Sequence, residues 1–177
     1  AFREELAALP VGDPARPEVR VGPLAKPELV EELDRQVRAS VERGARLLLG
    51  GQPLPGPGYF YPPTLLDLAG PGMPVFDEET FGPVAAVVRV STEAEAVRLA
   101  NASPFGLGAS IWSRDPARAE RLAPQIDAGC VFINGIVKSD PRLPFGGVKL
   151  SGYGRELSAF GLREFVNVKS VWVGGPS

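Results

Sequence analysis

An acidic segment followed by an aromatic residue is the first candidate for chemistry in this sequence. Three acids occupy positions 77–79, Phe81 follows them, and Gly82-Pro83 leads into an apolar stretch. Loops at strand ends are common places for ligands. A carboxylate there can accept hydrogen bonds from both hydroxyls of a ribose diol, and an aromatic ring can pack against a flat heterocycle. The alternative is a solvated acidic turn in which Phe81 fills the core.

A second candidate is the polar segment Lys138–Arg142, which follows another apolar run. Ser139 and Arg142 could together hold a small carboxylate, because Arg supplies a fork of donors and Ser supplies one more. The alternative is an ordinary surface turn, since polar loops are common on any protein. The residue types alone leave both interpretations open.

The glycine-rich segment Pro144–Gly154 invites comparison with phosphate-binding loops. Its spacing is neither GxxxxGK[ST] nor GxGxxG, and Lys149 does not stand where such a loop needs it. We predict that these glycines provide positive φ angles or close backbone packing. A phosphate cradle is the alternative.

The composition excludes several kinds of catalytic site. The chain has 177 residues, with no His and one Cys. Without imidazole, it cannot form a Ser/His/Asp triad, a Cys/His dyad or an HExxH zinc helix, and we predict no metal site. Cys130 cannot form a disulfide within the chain, and its apolar neighbours predict an inert core thiol.

Charge and hydropathy argue against nucleic acids and membranes as partners. The 19 Lys and Arg residues and 21 Asp and Glu residues give a net charge of −2 and no basic stripe. No apolar run approaches the roughly 18 residues of a membrane span, and the N-terminus does not resemble a signal peptide. We expect a cytoplasmic protein. Because the chain begins without Met, inside an amphipathic pattern, we also expect a fragment or a processed product.

Hydrophobic periodicity predicts the elements that must position these segments. The first clear helix begins at Pro27, repeats an apolar residue every four positions and stops at Gly44. Strands are predicted at 45–49, 61–68, 84–90, 107–112 and 130–134, and further helices at 92–100, 115–122 and 155–164. This alternation predicts an α/β fold with αβα layers around a largely parallel sheet. The alternating segment Phe165–Val173 predicts a final extended strand.

Together these motifs resemble the C-terminal part of NAD(P)-dependent aldehyde dehydrogenases. The resemblance covers essentially the whole chain and is carried, in chain order, by residues 11–14, 22–24, 79–84, 101–107, 131–134 and 144–156. Val-Phe-Ile-Asn, followed by Lys-Ser-Asp-Pro-Arg and Pro-Phe-Gly-Gly-Val-Lys, is closest to the succinate-semialdehyde dehydrogenase branch. The resemblance implies a catalytic-domain segment at residues 1–153 and a C-terminal helix and oligomerisation strand at residues 154–177.

The resemblance also implies how a nicotinamide cofactor would be bound. Glu79 would bind the hydroxyls of the ribose next to nicotinamide, and Phe81 would position the nicotinamide ring. The residues that choose between NAD and NADP lie upstream of the matched region, so the choice stays open. Because the dinucleotide domain is missing as well, we expect this chain alone to bind either cofactor weakly or not at all.

The substrate residues follow by the same resemblance. Phe145 would line the aldehyde pocket near its mouth, and the loop at residues 135–143 would set substrate preference. In the succinate-semialdehyde branch, Ser139 and with it Arg142 would hold the distal carboxylate of the substrate.

The catalytic residues of the family are not in this chain. The nucleophilic Cys and the general-base Glu lie upstream of the matched region, and Cys130 does not match the nucleophile motif. We therefore expect the segment alone to be inactive. One alternative is a non-catalytic assembly partner, because Phe165–Val173 would reach a neighbouring subunit of a homo-oligomer. The other is a stand-alone nucleotide-binding module, which would lack a helix N-terminus for the pyrophosphate.

Overall fold

The chain forms two compact units in the computed structural model, which describes residues 1–175. Unit 1 is Ala1–Ser91 and unit 2 is Thr92–Ser177. The last two residues of the predicted C-terminal element, 176 and 177, lie outside the described residues. Within residues 1–175, no helix combines the length and the apolar character needed to cross a lipid bilayer.

The predicted first long helix is present in unit 1 as α2 (Pro27–Glu42). Pro27 occupies its first turn, where its missing N–H costs nothing, and Gly44 follows its end with a φ of 105°. The buried face of α2 carries Leu33 and Val37, as the periodicity predicts, and also two polar residues. The shorter helices of this unit are α1 (Phe2–Ala7) and α3 (Pro74–Asp77).

A three-stranded sheet completes unit 1. Its strands are β1 (Arg46–Leu49), β2 (Thr64–Asp67) and β3 (Val84–Val87), with β2 in the centre and buried at every position. β1 pairs with β2 antiparallel, and β2 pairs with β3 parallel. The core between α2 and the sheet contains Leu33, Val37, Ala45, Tyr61, Leu66, Ala69 and Val75.

The buried strand β2 ends in a charged group that two arginines neutralise. Asp67 is 1% exposed, and its carboxylate accepts hydrogen bonds from Arg89 at 2.8 and 2.9 Å and from Arg46 at 2.6 Å. The two hydrogen bonds from Arg89, and then the one from Arg46, hold the pKa of Asp67 well below its usual range. These hydrogen bonds and the two positive charges offset the free-energy cost of burying the charged carboxylate of Asp67.

Unit 2 contains the predicted helices and strands in short form. Its helices are α4 (Glu93–Ala100), α5 (Pro116–Leu122), a 3-10 turn (Ala123–Gln125) and α6 (Ser158–Glu164). Its strands are β4 (Phe105–Gly106), β5 (Gly108–Ile111), β6 (Cys130–Ile133) and β7 (Val148–Lys149). β5 pairs with β6 parallel, and β4 pairs with β7 antiparallel. Thr92 caps the start of α4, because its hydroxyl accepts a hydrogen bond from the Glu95 amide at 3.1 Å.

The α/β class is confirmed, whereas the sheet differs from the predicted one. The described strands form three small sheets, in which two pairings are parallel and two are antiparallel. β1 and β2 are joined by a Pro- and Gly-rich loop without a helix, and such a connection returns the chain antiparallel rather than carrying it across the sheet. β4 and β7 are two residues long, which leaves no alternation for a sequence pattern to reveal.

The predicted final strand is not formed within the described chain. After α6 the backbone turns at Phe165 and Val166, and residues 167–175 are in neither a helix nor a strand. A strand is defined by hydrogen bonds to a neighbouring strand, and none of the described strands lies beside this segment. Pairing with another subunit stays a prediction.

Candidate functional site

The acidic loop lies between α3 and β3 in unit 1. Glu79 is exposed, and no hydrogen bond or ion pair to its carboxylate occurs among the described residues. Phe81 is 65% exposed, so it does not fill the core of this unit. The loop therefore presents a free carboxylate two residues before an accessible aromatic ring, a combination that fits a ribose diol and a flat heterocycle.

A buried amide on α2 holds the backbone of this loop. Gln36 is 3% exposed, and its Nε2 donates to the carbonyl oxygen of Glu79 at 3.0 Å and to Oε2 of Glu78 at 3.1 Å. Nothing in the pattern of the acidic segment pointed to Gln36. The available signal was a polar residue on the apolar face of α2, three positions after Leu33.

A charged network next to this contact fixes Glu78. Arg35 donates to both carboxylate oxygens of Glu32, at 2.6 and 2.9 Å, and to Oε2 of Glu78 at 2.5 Å. The hydrogen bonds from Arg35 lower the pKa of Glu32, and the two carboxylates raise the pKa of Arg35. Of the two adjacent glutamates, Glu78 is thus bound to α2, and the carboxylate of Glu79 has no partner among the described residues.

The end of the loop is set by close packing. A Cβ at Gly82 would overlap a methyl group of the buried Leu33 side chain, so glycine lets the loop approach α2 without displacing that side chain. The carbonyl oxygen of Pro83 then accepts from the amide of Thr64 at 2.8 Å, which starts the pairing of β3 with the buried strand β2.

In unit 2, the candidate carboxylate-binding residues lie on the loop after β6. Ser139 is exposed, and its hydroxyl makes no hydrogen bond among the described residues. Arg142, by contrast, is already paired: its Nε and Nη2 donate to Asp140 at 2.9 and 2.7 Å, and its backbone amide donates to the same carboxylate. These bonds hold the pKa of Asp140 well below its usual range.

Phe145 lies at the edge of a groove of about 950 Å³ in unit 2. Its amide donates to the carbonyl of Glu156 at 2.9 Å, and the amide of Glu156 donates to the carbonyl of Phe145 at 2.8 Å, which fixes the main chain at Phe145. The lining is largely apolar and includes Pro141, Phe145, Tyr153, Leu157, Leu162 and Phe165. Ser139 and Arg142 are not part of this lining.

The glycine-rich segment serves packing, as its spacing predicted. A Cβ at Gly146 would lie 2.6 Å from the carbonyl oxygen of Gly154, and one at Gly147 would lie 2.6 Å from the Ser151 side chain. A Cβ at Gly129 would overlap the Gly146 carbonyl. Cys130 is half-buried against the same loop, with Sγ 3.9 Å from the Gly146 carbonyl oxygen.

The structure brings the candidate residues together in two local groups. Glu79 and Phe81 share one loop of unit 1, whereas Ser139, Arg142 and Phe145 share one loop of unit 2. The first group has a carboxylate that can accept hydrogen bonds from the hydroxyls of a nucleotide sugar and a ring that can pack against a base. The second group has hydrogen-bond donors for a small polar substrate and an apolar ring.

Comparison with known protein families gives a match over nearly the whole chain. Residues 1–171 match the model of the aldehyde dehydrogenase family. Among curated proteins, the chain is similar to succinate-semialdehyde dehydrogenase [NADP(+)] 1 of Mycobacterium ulcerans (strain Agy99), with 50% identity over 173 residues. These residues are 98% of this chain and 38% of that relative.

Solved structures of aldehyde dehydrogenases are also similar to this chain over nearly its whole length. The succinic semialdehyde dehydrogenase of Streptococcus pyogenes, in complex with NADP+, is similar with a TM-score of 0.92 and 37% identity, over 98% of this chain and 39% of that one. An aldehyde dehydrogenase of Mycobacterium tuberculosis, in complex with NAD+, has a TM-score of 0.86 and 36% identity, over 92% of this chain and 34% of that one. The chain thus spans less than two fifths of the length of these relatives.

Proposed function

Because the chain belongs to the aldehyde dehydrogenase family, we propose that it is the C-terminal segment of an enzyme that oxidises a small semialdehyde to its acid. Succinate semialdehyde is the proposed substrate and NADP+ the proposed cofactor, since both appear in the name of the Mycobacterium ulcerans relative. NAD+ is the alternative cofactor, as in the Mycobacterium tuberculosis structure.

The observation that carries this proposal is the free carboxylate of Glu79 beside the exposed ring of Phe81. Glu79 would accept hydrogen bonds from the ribose hydroxyls next to nicotinamide, and Phe81 would position the nicotinamide ring. The bound cofactor supplies an acceptor for the hydride of the aldehyde. The contribution of this chain is to bind and orient that cofactor.

The substrate side of the proposal rests on unit 2. Phe145 would line the aldehyde pocket, and the free hydroxyl of Ser139 would donate to the distal carboxylate of the substrate. Arg142 can join it only by sharing its guanidinium with Asp140, which already accepts two of its side-chain bonds. We therefore place Ser139 first in carboxylate recognition and Arg142 second.

The nucleophile and the general base belong, in this proposal, to the part of the enzyme that precedes these residues. In this proposal Cys130 is not the nucleophile, because it does not match the nucleophile motif; the position of its Sγ, 3.9 and 4.0 Å from backbone carbonyl oxygens of the glycine-rich loop, is consistent with that. Residues 1–153 would be part of the catalytic domain, and residues 154–177 would be a helix and strand for oligomerisation.

A second candidate role, assembly of a homo-oligomer, is supported by the exposure of the C-terminal segment. Phe165, Val168 and Trp172 are 92%, 81% and 89% exposed, although large apolar side chains are normally covered. The role is compatible with the first, since this segment would add a strand to a sheet of another subunit.

The decisive experiment compares the 177-residue chain with the full-length protein that contains it. With succinate semialdehyde and NADP+, we expect the full-length protein to form reduced cofactor steadily and the isolated chain to form none, because no thiohemiacetal can form without the nucleophile. Cys130→Ser in the full-length protein is the matched control, and it should retain activity.

Two outcomes would contradict the proposal. Sustained turnover by the isolated chain would mean that its catalytic residues are within these 177 positions. A full-length protein that is folded yet oxidises no aldehyde with either cofactor would refute the enzymatic function itself.

A further inference from the structure

A buried amide is rare on the apolar face of a helix, because it must recover the hydrogen bonds that it loses to water. Gln36 is 3% exposed between the core residues Leu33 and Val37 of α2. Its Nε2 donates two hydrogen bonds, and both go to the acidic loop, 42 and 43 residues along the chain, whereas its Oε1 is buried without a partner among the described residues. The side chain thus connects α2 to the loop that carries Glu79.

One of these bonds goes to the main chain of Glu79 itself. The carbonyl oxygen of Glu79 accepts from Gln36 at 3.0 Å, while the carboxylate of the same residue is exposed and without a partner in the described chain. A long exposed side chain has many rotamers, so the position of its carboxylate depends first on where its backbone is held. Gln36 fixes that backbone.

The second bond from Gln36 goes to the carboxylate of Glu78, which is therefore not free to bind a ligand in place of Glu79. Oε2 of Glu78 accepts from Gln36 at 3.1 Å and from Arg35 at 2.5 Å. Glu78 is therefore bound to α2 from two sides, and the exposed carboxylate that remains is that of Glu79. An amide suits this place, because it donates to a neutral carbonyl and to a carboxylate without adding a charge to the core.

From this geometry we propose that Gln36 is a positioning residue for cofactor binding. It holds the main chain of Glu79 so that the Glu79 carboxylate faces the ribose hydroxyls. The inference rests on the proposed function, because it acts only through the contact between Glu79 and the cofactor.

The test uses the full-length protein and the variant Gln36→Met, which keeps nearly the same volume but has no donor. The expected result is a rise of about tenfold in both KM and Kd for NADP+, the size of effect that the loss of one well-placed hydrogen bond can produce. KM for the aldehyde should stay within about twofold of the parent value. Gln36→Asn, which shortens the side chain by one methylene, is a second variant with the same expected direction should Gln36→Met fail to fold.

The matched control is Ser40→Ala, one turn further along α2. Ser40 is also fully buried, and its hydroxyl donates to the Gln36 carbonyl at 2.7 Å and accepts from the Val75 amide at 3.1 Å. It does not contact the acidic loop through its side chain. Ser40→Ala should lower the melting temperature and leave KM for NADP+ unchanged.

A double-mutant cycle separates positioning from general destabilisation. Glu79→Gln alone should raise KM for NADP+, and Gln36→Met combined with Glu79→Gln should be no worse than Glu79→Gln alone, because both changes disable the same contact. Additive effects would overturn the inference, and so would a Gln36→Met enzyme with normal KM and Kd for NADP+. If Glu79→Gln itself leaves KM unchanged, the proposed cofactor site fails, which is a different result.

Discussion

The guanidinium of Arg142 is occupied by a carboxylate two residues before it in the same loop. The pair with Asp140 uses two side-chain donors and one backbone donor. The hydrogen bonds from Arg142 hold the pKa of Asp140 well below its usual range, so the carboxylate keeps its charge, and its bond to Arg142, even in mildly acidic solution. A substrate carboxylate would have to compete with it, whereas the hydroxyl of Ser139 has no competitor among the described residues.

This difference leads to a prediction on substrate preference. In the full-length protein, Ser139→Ala should raise KM for succinate semialdehyde about tenfold relative to an uncharged aldehyde such as propanal, since a hydrogen bond to a charged group is lost. Arg142→Ala should change the same ratio by about twofold, as expected for an exposed and already paired charge. Steady-state kinetics with both aldehydes measure the ratio.

Asp140→Asn is the informative companion variant. It removes the competing negative charge, so KM for succinate semialdehyde should fall if Arg142 takes part in binding. An equal loss with both aldehydes in either alanine variant would show that the residue supports the loop rather than the substrate.

At the scale of single residues, the sequence located the acidic loop but not what holds it. Glu79 and Phe81 stand in a short motif that can be read locally. Gln36 and Arg35 were missed, because their partners are 42 and 43 residues away and periodicity assigns a residue to a face without naming what it meets. The polar residue within an apolar stripe was the one available sign.

Among the secondary-structure elements, β2 combines complete burial with an ion cluster at its end. The carboxylate of Asp67 has a folded-state pKa below its unfolded value, so it stabilises the fold at a pH above the unfolded pKa of about 3.9. That contribution is lost as the pH falls through the folded pKa. Two arginines from neighbouring segments, Arg46 and Arg89, depend on the same carboxylate.

Asp67→Asn is therefore expected to lower the melting temperature by several degrees at about pH 7. The difference from the parent protein should narrow steadily as the pH is lowered below about 4, because the parent protein then loses the contribution that the variant never had. Thermal melts followed by circular dichroism across this range give the measurement. A difference that stays constant with pH would mean that the carboxylate's charge does not stabilise β2.

Helices were easier to predict than sheets in this chain. α2, α4 and α5 begin where Pro or a capping Thr or Asp marks the start, since these signals act within one turn. α6 begins at Ser158 rather than Arg155, because Leu157 adopts a positive φ of 62° and Glu156 pairs with Phe145. Which strands pair, and in which direction, depends on contacts between distant segments that local patterns do not encode.

For the molecule as a whole, the main open question is why the C-terminal segment exposes large apolar side chains. Its exposed apolar side chains include Phe165, Val168 and Trp172. Removing residues 165–177 from the full-length protein should reduce its assembly to smaller oligomers or monomers, because the segment that we propose to pair with another subunit is lost. Size-exclusion chromatography with light scattering gives the mass.

The control for this truncation is Trp172→Ala, which removes one large exposed side chain and keeps the backbone for pairing. We expect a weaker oligomer of the same size at high concentration. An unchanged mass after truncation would refute an oligomerisation role for this segment.

The bond between Gln36 and Glu79 also constrains the order in which unit 1 can form. It spans 43 residues and two strands, β1 and β2, so the acidic loop cannot take its shape from its neighbours in the chain alone. During synthesis the amide of Gln36 leaves the ribosome well before its partner does, and it is hydrogen-bonded to water until β2 and β3 have docked. We therefore expect the acidic loop to take its final shape late in the folding of unit 1, once the strands on either side of it along the chain have paired.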